Sequence, residues 1–342
     1  MIKIGINGFG RIGSQTYKAA LASDDIEVVA INAPGHPASQ VAYVTKYDSV
    51  HGRYRHDVQW DDEAGTISVD GKVARVLSDE KYRDPAQIPW GELGADYVME
   101  CTGVFMTQEK AQGHIDGGAK VVVMSGPAKD DTPTFVCGVN LEDYRADMQF
   151  VSNASCTTNC VAPLAKAVND AFGIVEGLMT TVHASTNSQA VVDSFTKRSW
   201  RGGRSVYSNI IPTSTGAAKA VGKVVPSLAG KLTGISLRVP VPDVSVVDLT
   251  CRLERPAPFE DVCAAIKEAA YGPMRGVLFY ADEEVVSTDF RGDPHTSIFD
   301  STASLALNDG FVKLLAWYDN EWGFSCKMLD LTRHIDSIRN AR

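Results

Sequence analysis

The chain opens with a glycine motif that directly follows a strand-like run and begins a helical stretch: Gly8, Phe9, Gly10, Arg11, Ile12 and Gly13. In such a G-x-G-x-x-G motif, Gly8 permits a tight turn, Gly10 lets the backbone approach a pyrophosphate, and Gly13 lets the helix pack against the sheet. A glycine turn that binds nothing is the alternative, and the strand–turn–helix context argues against it. The motif therefore predicts a doubly wound, Rossmann-type domain that binds a dinucleotide.

Strands and helices alternate through the first half of the sequence, which is typical of a parallel sheet with crossover helices. The predicted strands are Ile2–Asn7, Ile26–Asn32, Tyr97–Thr102 and Lys120–Ser125, with helices near 12–22 and 107–117. Three further β-rich runs lie between Val58 and Leu77 and are separated by turn residues. We therefore expect a hairpin insertion at the edge of this sheet.

After about Val151, strand-like runs outnumber helices, so the pattern predicts an α+β domain with a mixed or antiparallel sheet. The expected strands are Leu178–His183, Thr233–Val239, Ser245–Arg252, Val277–Tyr280 and Phe311–Tyr318. Apolar residues then recur at helical spacing along the C-terminal stretch: Phe324, Met328, Leu331, Ile335 and Ile338. We expect a dinucleotide-binding domain (1–155), a catalytic domain (156–320) and a terminal helix (321–342) that packs back on the first domain.

A cysteine stands at the expected start of a helix, in the run SNASCTTNC (152–160). Ser155 is a plausible N-cap for that helix, which should end at Phe172 before Gly173. A helix N-terminus favours a thiolate, so we expect a lowered pKa for Cys156 and a reactive sulfur. The other reading, a buried structural thiol, is the one we adopt for cysteines without this context.

A thiol nucleophile needs a base, and His183 ends a predicted strand, where catalytic groups are often mounted. A lone histidine is more often a structural residue, and the chain has six others. The strand-end position and the neighbouring Ser/Thr-rich string favour His183. No metal is expected, because the pair Cys156 and Cys160 lacks a second Cys/His pair at zinc spacing.

Composition excludes several classes of partner and compartment. The 33 basic and 42 acidic residues give a formal charge of −9, which argues against a dedicated nucleic-acid partner. No apolar stretch approaches the length of a membrane span. The chain has seven cysteines, an odd number that are widely spread and do not suggest a set of disulfide pairs. The N-terminus shows no signal-peptide pattern. We therefore expect reduced thiols in a cytoplasmic protein.

The chain resembles the phosphorylating glyceraldehyde-3-phosphate dehydrogenases in blocks spread over nearly its full length. These blocks are INGFGRIG (6–13), KYDSVHG (46–52), ECTGVF (100–105), SNASCTTNC (152–160), WRGGR (200–204), NIIPTSTGAAKA (209–220), RVPVPDVSVVDLT (238–250), VSTDF (286–290) and WYDNEWGFS (317–325). The cysteine block is the most specific of them.

The resemblance implies a homotetramer that oxidises glyceraldehyde 3-phosphate with inorganic phosphate and NAD, through a thiohemiacetal and a thioester. It implies that Cys156 is the nucleophile and His183 the base. The implied cofactor contacts are Gly8, Phe9, Gly10, Arg11, Ile12, Gly13, Asn32, Ala33, Thr102, Ser125 and Asn320. The implied contacts to the substrate and phosphate anions are Ser155, Thr157, Thr186, Arg204, Thr215, Gly216 and Arg238, and Arg201 is the alternative to Arg204 for the loop arginine.

The sequence departs from the family pattern at four positions: Ser14, Ala33, Ser188 and Phe324. Ala33 stands where the family usually carries the Asp that hydrogen-bonds the adenosine ribose, so NADP is not excluded. Lys81 or a residue of the 193–209 loop is a candidate partner for its 2′-phosphate. Two other functions stay open at this point: an erythrose-4-phosphate dehydrogenase, and a secondary nucleic-acid or cell-surface binding role.

Overall fold

The computed structural model describes residues 1–196 and 199–341. The chain divides into two compact units. The N-terminal unit comprises Met1–Phe135, Leu141–Ala154 and Ser325–Arg342, and the C-terminal unit comprises Val136–Asn140 and Ser155–Phe324. Within the described ranges, no helix is both long and apolar enough to cross a membrane.

The N-terminal unit is a doubly wound α/β domain, as predicted. Its strands are β1 (Ile2–Asn7), β2 (Ile26–Asn32), β3 (Tyr47–Asp48), β4 (Gly52–Arg53), β5 (Val58–Asp61), β6 (Thr66–Val69), β7 (Lys72–Leu77), β8 (Tyr97–Glu100), β9 (Val121–Met124) and β10 (Phe150–Ser152). Its first three helices are α1 (Arg11–Leu21), α2 (Ala38–Lys46) and α3 (Gln108–Asp116).

Eight of these strands form one sheet in the order β10-β9-β8-β1-β2-β7-β6-β5. The strands from β10 to β7 pair in parallel, whereas β6 and β5 continue antiparallel at the edge. The expected edge hairpin is therefore confirmed. The carboxyl ends of β1, β2 and β8 lie at one edge, because Asn7 pairs with Asn32 on one side and with Glu100 on the other.

The C-terminal unit is built on a mixed sheet, also as predicted. Its helices are α4 (Cys156–Phe172), α5 (Ala217–Val224) and α6 (Phe259–Tyr271). Its strands are β11 (Ile174–His183), β12 (Ile211–Ser214), β13 (Leu232–Arg238), β14 (Ser245–Leu253), β15 (Leu278–Ala281), β16 (Ser297–Asn308) and β17 (Phe311–Tyr318). They follow the order β12-β13-β11-β14-β17-β16-β15, and β11 pairs with β13 in parallel but with β14 antiparallel.

The terminal helix α7 (Trp322–Arg339) contributes Ser325 onward to the N-terminal unit. The Arg333 guanidinium there pairs with the Asp25 carboxylate through N···O distances of 2.7 and 2.9 Å. Tyr97 donates its hydroxyl to Asp336 at 2.8 Å. Of the five apolar residues that recur at helical spacing in the C-terminal sequence, only Ile338 is exposed, and the other four are buried.

Candidate functional site

The glycine turn has the local geometry that its sequence predicts. Gly8 has φ +90°, in the left-handed region that a side chain rarely adopts. A Cβ on Gly13 would lie 2.0 Å from the carbonyl oxygen of Gly8, so only glycine fits at this contact between turn and helix. At Gly10 no atom lies within 4 Å of an added Cβ, which leaves room for a ligand to approach the backbone. Helix α1 begins directly after this turn, at Arg11.

Five of the predicted cofactor residues line one cavity of about 360 Å³: Gly8, Phe9, Gly10, Asn32 and Ala33. The same cavity is also lined by His36 and Arg83, which were not among the predicted cofactor residues. Arg83 forms an exposed ion pair with Glu80. Lys81, suggested above as a partner for a 2′-phosphate, does not line this cavity, and its ammonium lies over the ring of Tyr82 instead.

A buried carboxylate holds the strand ends beneath this turn. Glu100 is fully buried and accepts hydrogen bonds from Asn7 Nδ2 at 2.5 Å, from Thr102 N–H at 2.8 Å and from the Thr102 hydroxyl. Asn32 in turn donates Nδ2 to Asn7 Oδ1 at 2.7 Å. Each of these partners is a donor, so both carboxyl oxygens of Glu100 act as acceptors. Glu100 thus holds the predicted cofactor residue Thr102 directly and holds Asn32, another of them, through Asn7.

The histidine beside Glu100 has a defined tautomer. Trp90 Nε1–H donates to His114 Nδ1 at 3.0 Å, and an indole nitrogen is only a donor. The ring proton of His114 therefore lies on Nε2, which is 3.2 Å from a carboxylate oxygen of Glu100. This gives the buried carboxylate a further donor.

Three more predicted cofactor residues have contacts of their own. The Arg11 guanidinium pairs with the Asp48 carboxylate at 2.9 Å, so the group that Arg11 presents to a ligand at the start of α1 is its backbone N–H. Ser125 N–H donates to Glu100 O at 3.0 Å at the end of β9. Ile12 lies in the first turn of α1.

In the C-terminal unit, the predicted nucleophile and base are in contact. Ser155 caps α4 by accepting from Thr158 N–H, and Gly173 ends the helix with φ +71°, as predicted. Cys156 is consequently the first residue of the helix, and His183 is the last residue of β11. Cys156 Sγ lies 3.5 Å from His183 Nε2. This is the arrangement required for proton transfer between a thiol and an imidazole.

The expected lowering of the Cys156 pKa is wrong. Burial raises the pKa of this thiol, and the opposing effects of the Arg238 charge and the Thr157 backbone N–H are smaller. The helix start alone therefore does not ionise the sulfur. Burial, with the nearby charge of Arg238, lowers the pKa of His183 to about 3. The imidazole is neutral at physiological pH and can accept a proton.

The other ring nitrogen of His183 is held by two groups. Nδ1 lies 2.7 Å from Ala184 O, which only accepts, and 2.7 Å from Arg238 Nη1, which only donates. When Nδ1 carries the ring proton, it donates that proton to the Ala184 carbonyl oxygen. The lone pair of Nε2 then faces the sulfur of Cys156. Arg238 Nη1 also lies 3.2 Å from Ala184 O, so this arginine has a second acceptor.

Tyr318 connects the start of the nucleophile's helix with the strand of the base. Its buried hydroxyl lies 2.8 Å from Thr157 Oγ1 and 2.9 Å from Thr181 Oγ1, and its ring meets that of His183 edge-on. The sequence analysis missed this residue, although Tyr318 ends a predicted strand in the block WYDNEWGFS.

The remaining predicted anion residues make local contacts instead of touching Cys156 or His183. Thr186 Oγ1 lies 2.9 Å from Ser188 Oγ. Thr215 accepts from Ala217 N–H at 3.1 Å, next to Gly216 at the start of α5. Arg204 pairs with Asp193 at 2.9 Å in an exposed loop. Two of the four basic residues in the 193–209 loop, Lys197 and Arg198, lie outside the described residues.

Comparison with known proteins gives two family matches. Residues 2–108 match the model "Glyceraldehyde 3-phosphate dehydrogenase, NAD binding domain", and residues 155–320 match the model of the C-terminal domain of the same enzymes. A maize protein named cytosolic glyceraldehyde-3-phosphate dehydrogenase 3 is 56% identical over 99% of both chains. The Escherichia fergusonii glyceraldehyde-3-phosphate dehydrogenase is 58% identical over 98% of this chain and 99% of the relative. A chloroplastic enzyme from Arabidopsis thaliana is 57% identical over 97% of this chain and 78% of its own.

Proposed function

The chain belongs to the glyceraldehyde-3-phosphate dehydrogenase family, and we propose that it converts glyceraldehyde 3-phosphate and inorganic phosphate to 1,3-bisphosphoglycerate, with NAD(P) as oxidant. The observation that carries the proposal is the 3.5 Å approach of Cys156 Sγ to His183 Nε2. A nucleophile in contact with a neutral imidazole is the pair that covalent catalysis on an aldehyde requires.

The proposed reaction begins with proton transfer from Cys156 to Nε2 of His183, while sulfur attacks the aldehyde carbon. The imidazolium returns this proton to the aldehyde oxygen, which gives a thiohemiacetal and a neutral His183. His183 then takes the hydroxyl proton of this adduct as its C–H bond breaks, and a thioester remains on Cys156. The bound dinucleotide supplies the hydride acceptor. Attack of inorganic phosphate on the thioester releases the acyl phosphate and the Cys156 thiolate, and the proton held by His183 restores the thiol.

We propose that two anions are bound by hydroxyl groups, backbone N–H groups and arginines. Arg238 is the candidate closest to the reacting groups, because its guanidinium contacts His183. Ser155 and Thr157 flank Cys156 at the start of α4, where free N–H groups favour an anion. Thr186, Arg204, Thr215 and Gly216 remain proposed contacts, with the exposed Arg204 suited to exchanging its Asp193 partner for a phosphate.

We propose that this chain accepts both NAD and NADP. Ala33 places no carboxylate on the cavity wall, so nothing at this position repels a 2′-phosphate. Arg83 and His36 line the same cavity and supply the groups that an anion prefers. Glu80, the ion-pair partner of Arg83, offsets part of the arginine charge, which keeps the cavity suitable for NAD as well.

We propose a homotetramer, because the C-terminal unit exposes apolar side chains that a second copy can cover. Leu178 and Ile235, on the neighbouring strands β11 and β13, are 65% and 51% exposed. Phe195 and Trp200 are almost fully exposed in the loop after β11. Exposed apolar patches of this kind mark interaction surfaces. Light scattering should give about four times the chain mass of 36.9 kDa, and a monomer would contradict the proposal.

We propose a cytoplasmic location on the strength of the cysteines. All seven cysteines are free of disulfide bonds, as expected in a reducing compartment. Fractionation of cells that express the full-length protein tests this proposal.

The experiment for the central proposal measures NAD(P)H formation by purified protein with glyceraldehyde 3-phosphate, with and without inorganic phosphate. Erythrose 4-phosphate serves as the comparison aldehyde, and we expect a lower kcat/KM for it. Cys156→Ser should abolish the reaction, whereas Cys263→Ser, a partly exposed cysteine on α6, should leave it unchanged. Equal activity of Cys156→Ser and wild type would overturn the proposal.

A further inference from the structure

Ser245 is a buried hydroxyl between the strand of the base and a predicted cofactor residue. It begins β14, is 1% exposed, and its Oγ accepts from Ala184 N–H at 2.9 Å. The same Oγ lies 2.7 Å from Asn320 Oδ1. A hydroxyl has one proton to donate, and an amide oxygen only accepts. Ser245 therefore gives its proton to Asn320 Oδ1.

This hydrogen bond determines which end of the Asn320 amide is available to a ligand. Asn320 is only 5% exposed, and its Oδ1 is occupied by Ser245. Among the described residues its Nδ2 donates to no protein atom, and it is not enclosed by protein. Asn320 thus presents an unpaired N–H donor on a side chain that is otherwise buried, and such a donor fits a ligand that offers a carbonyl oxygen.

Ser245 also contacts Ala184, the residue whose carbonyl oxygen supports the base. The N–H of Ala184 donates to Ser245, and the C=O of Ala184 lies 2.7 Å from His183 Nδ1. The backbone of one residue, Ala184, therefore links the hydroxyl that holds the Asn320 amide to the imidazole of the base.

The backbone immediately before Ser245 is strained. Val244 has φ +65°, a region that β-branched residues rarely occupy. Strain of this kind persists where surrounding contacts fix a required geometry. The two hydrogen bonds of Ser245 are contacts of that kind.

We propose that Ser245 is a positioning residue that holds the Asn320 amide with its N–H groups toward the cofactor, so that Asn320 recognises the carbonyl oxygen of the nicotinamide carboxamide. This inference rests on the proposed function, in which Asn320 contacts that ring. Without the serine proton, the amide is free to turn by 180° and to present Oδ1 instead. Selectivity for a carbonyl oxygen on the ring then falls.

The test measures dissociation constants by fluorescence titration, because binding is independent of the redox potential of each analogue. Three cofactors are compared: NAD, an analogue in which a methyl ketone replaces the carboxamide, and an analogue in which a thioamide replaces it. The ketone keeps the carbonyl oxygen but lacks the amide N–H, whereas sulfur in the thioamide is a weak acceptor. Wild type should bind the ketone nearly as well as NAD and the thioamide about tenfold more weakly, the effect of one hydrogen bond.

In Ser245→Ala, we expect the Kd for NAD to rise about tenfold and the preference for the ketone over the thioamide to disappear. Ser236→Ala is the matched control. Ser236 lies on β13, is also 1% exposed, and its Oγ has no hydrogen-bond partner in the described ranges. The control should keep the wild-type preference. Unchanged selectivity in Ser245→Ala would overturn the inference.

A second variant covers the case in which Ser245→Ala does not fold. Asn320→Asp keeps the size of the side chain but removes its N–H donors, so it too should lose the preference for the ketone; retention of that preference would contradict the role given to Nδ2. The outcomes distinguish a failure of the proposed function from a failure of the role given to Ser245. Wild type that forms no NAD(P)H from the aldehyde and phosphate refutes the proposed function. Active wild type with unaltered selectivity in both variants refutes only the role of Ser245.

Discussion

His183 Nε2 lies 3.5 Å from Cys156 Sγ, and the two residues come from the end of one strand and the first turn of one helix. Burial raises the pKa of the thiol and lowers that of the imidazole to about 3. Both shifts favour a neutral pair at rest. The sulfur therefore depends on the imidazole as proton acceptor, more than on the helix start.

Replacement of His183 tests this dependence. In His183→Asn we expect the pH profile for alkylation of Cys156 by iodoacetamide to move to higher pH, because the partly exposed thiol keeps a raised pKa and has lost its proton acceptor. Alkylation at pH 7 should slow by at least about tenfold. His334→Asn, a substitution on the terminal helix, is the control. A profile identical to that of wild type would show that His183 does not take the proton.

Glycine substitutions separate the fold of the dinucleotide turn from its function. Gly13→Ala should lower the free energy of unfolding by about 2 kcal/mol, because its Cβ would overlap the Gly8 carbonyl oxygen. Gly10→Ala meets no atom within 4 Å, so it should retain stability yet bind NAD more weakly. Urea unfolding and cofactor titration measure the two effects. Equal stability losses would contradict the division of roles.

Glu100→Gln tests the buried carboxylate beneath the turn. The new amide places a donor against Asn7 and Thr102, which both donate to Glu100. We expect the free energy of unfolding to fall by about 2 kcal/mol, the cost of buried groups left unpaired. Glu92→Gln, an exposed position, should change stability little in the same urea titration. A Glu100→Gln protein as stable as this control would refute the role given to Glu100 as an acceptor for Asn7 and Thr102.

Ala33→Asp tests cofactor preference. A carboxylate on the cavity wall should repel a 2′-phosphate, so the ratio of kcat/KM for NADP to that for NAD should fall about tenfold or more. Ala33→Asn has the same shape without the charge and should shift the ratio far less. If both variants change the ratio equally, shape rather than charge controls the choice.

The sequence predicted the elements whose signals are local. The glycine turn, the cap at Ser155 and the positive-φ glycine at the end of α4, Gly173, each depend on a few neighbouring residues, and all three are present. Strand β16 was missed because Ser297–Asn308 has no clear alternation of apolar and polar residues, and its first four residues, which are buried, are followed by a largely exposed stretch. Helix α2 was missed because its exposed side carries the apolar residues Tyr43 and Val44, which hide the helical pattern of its buried residues.

The groups around the site were harder to predict, because they depend on contacts between distant segments. Arg83 reaches the cofactor cavity from a segment fifty residues after Ala33. Ser245 contacts Asn320 because β14, which Ser245 begins, is the neighbour of β17 in the mixed sheet, and Asn320 follows β17. The pKa of Cys156 was predicted in the wrong direction because burial of the sulfur cannot be derived from a helix start alone.

The most direct test of the account is a single turnover in the absence of phosphate, followed by intact-mass and peptide analysis. With glyceraldehyde 3-phosphate and NAD, wild type should release NADH once per active chain and retain an acyl group on Cys156. Addition of phosphate should then remove that group. Release of NADH without an adduct, or an adduct on another residue, would contradict covalent catalysis by Cys156.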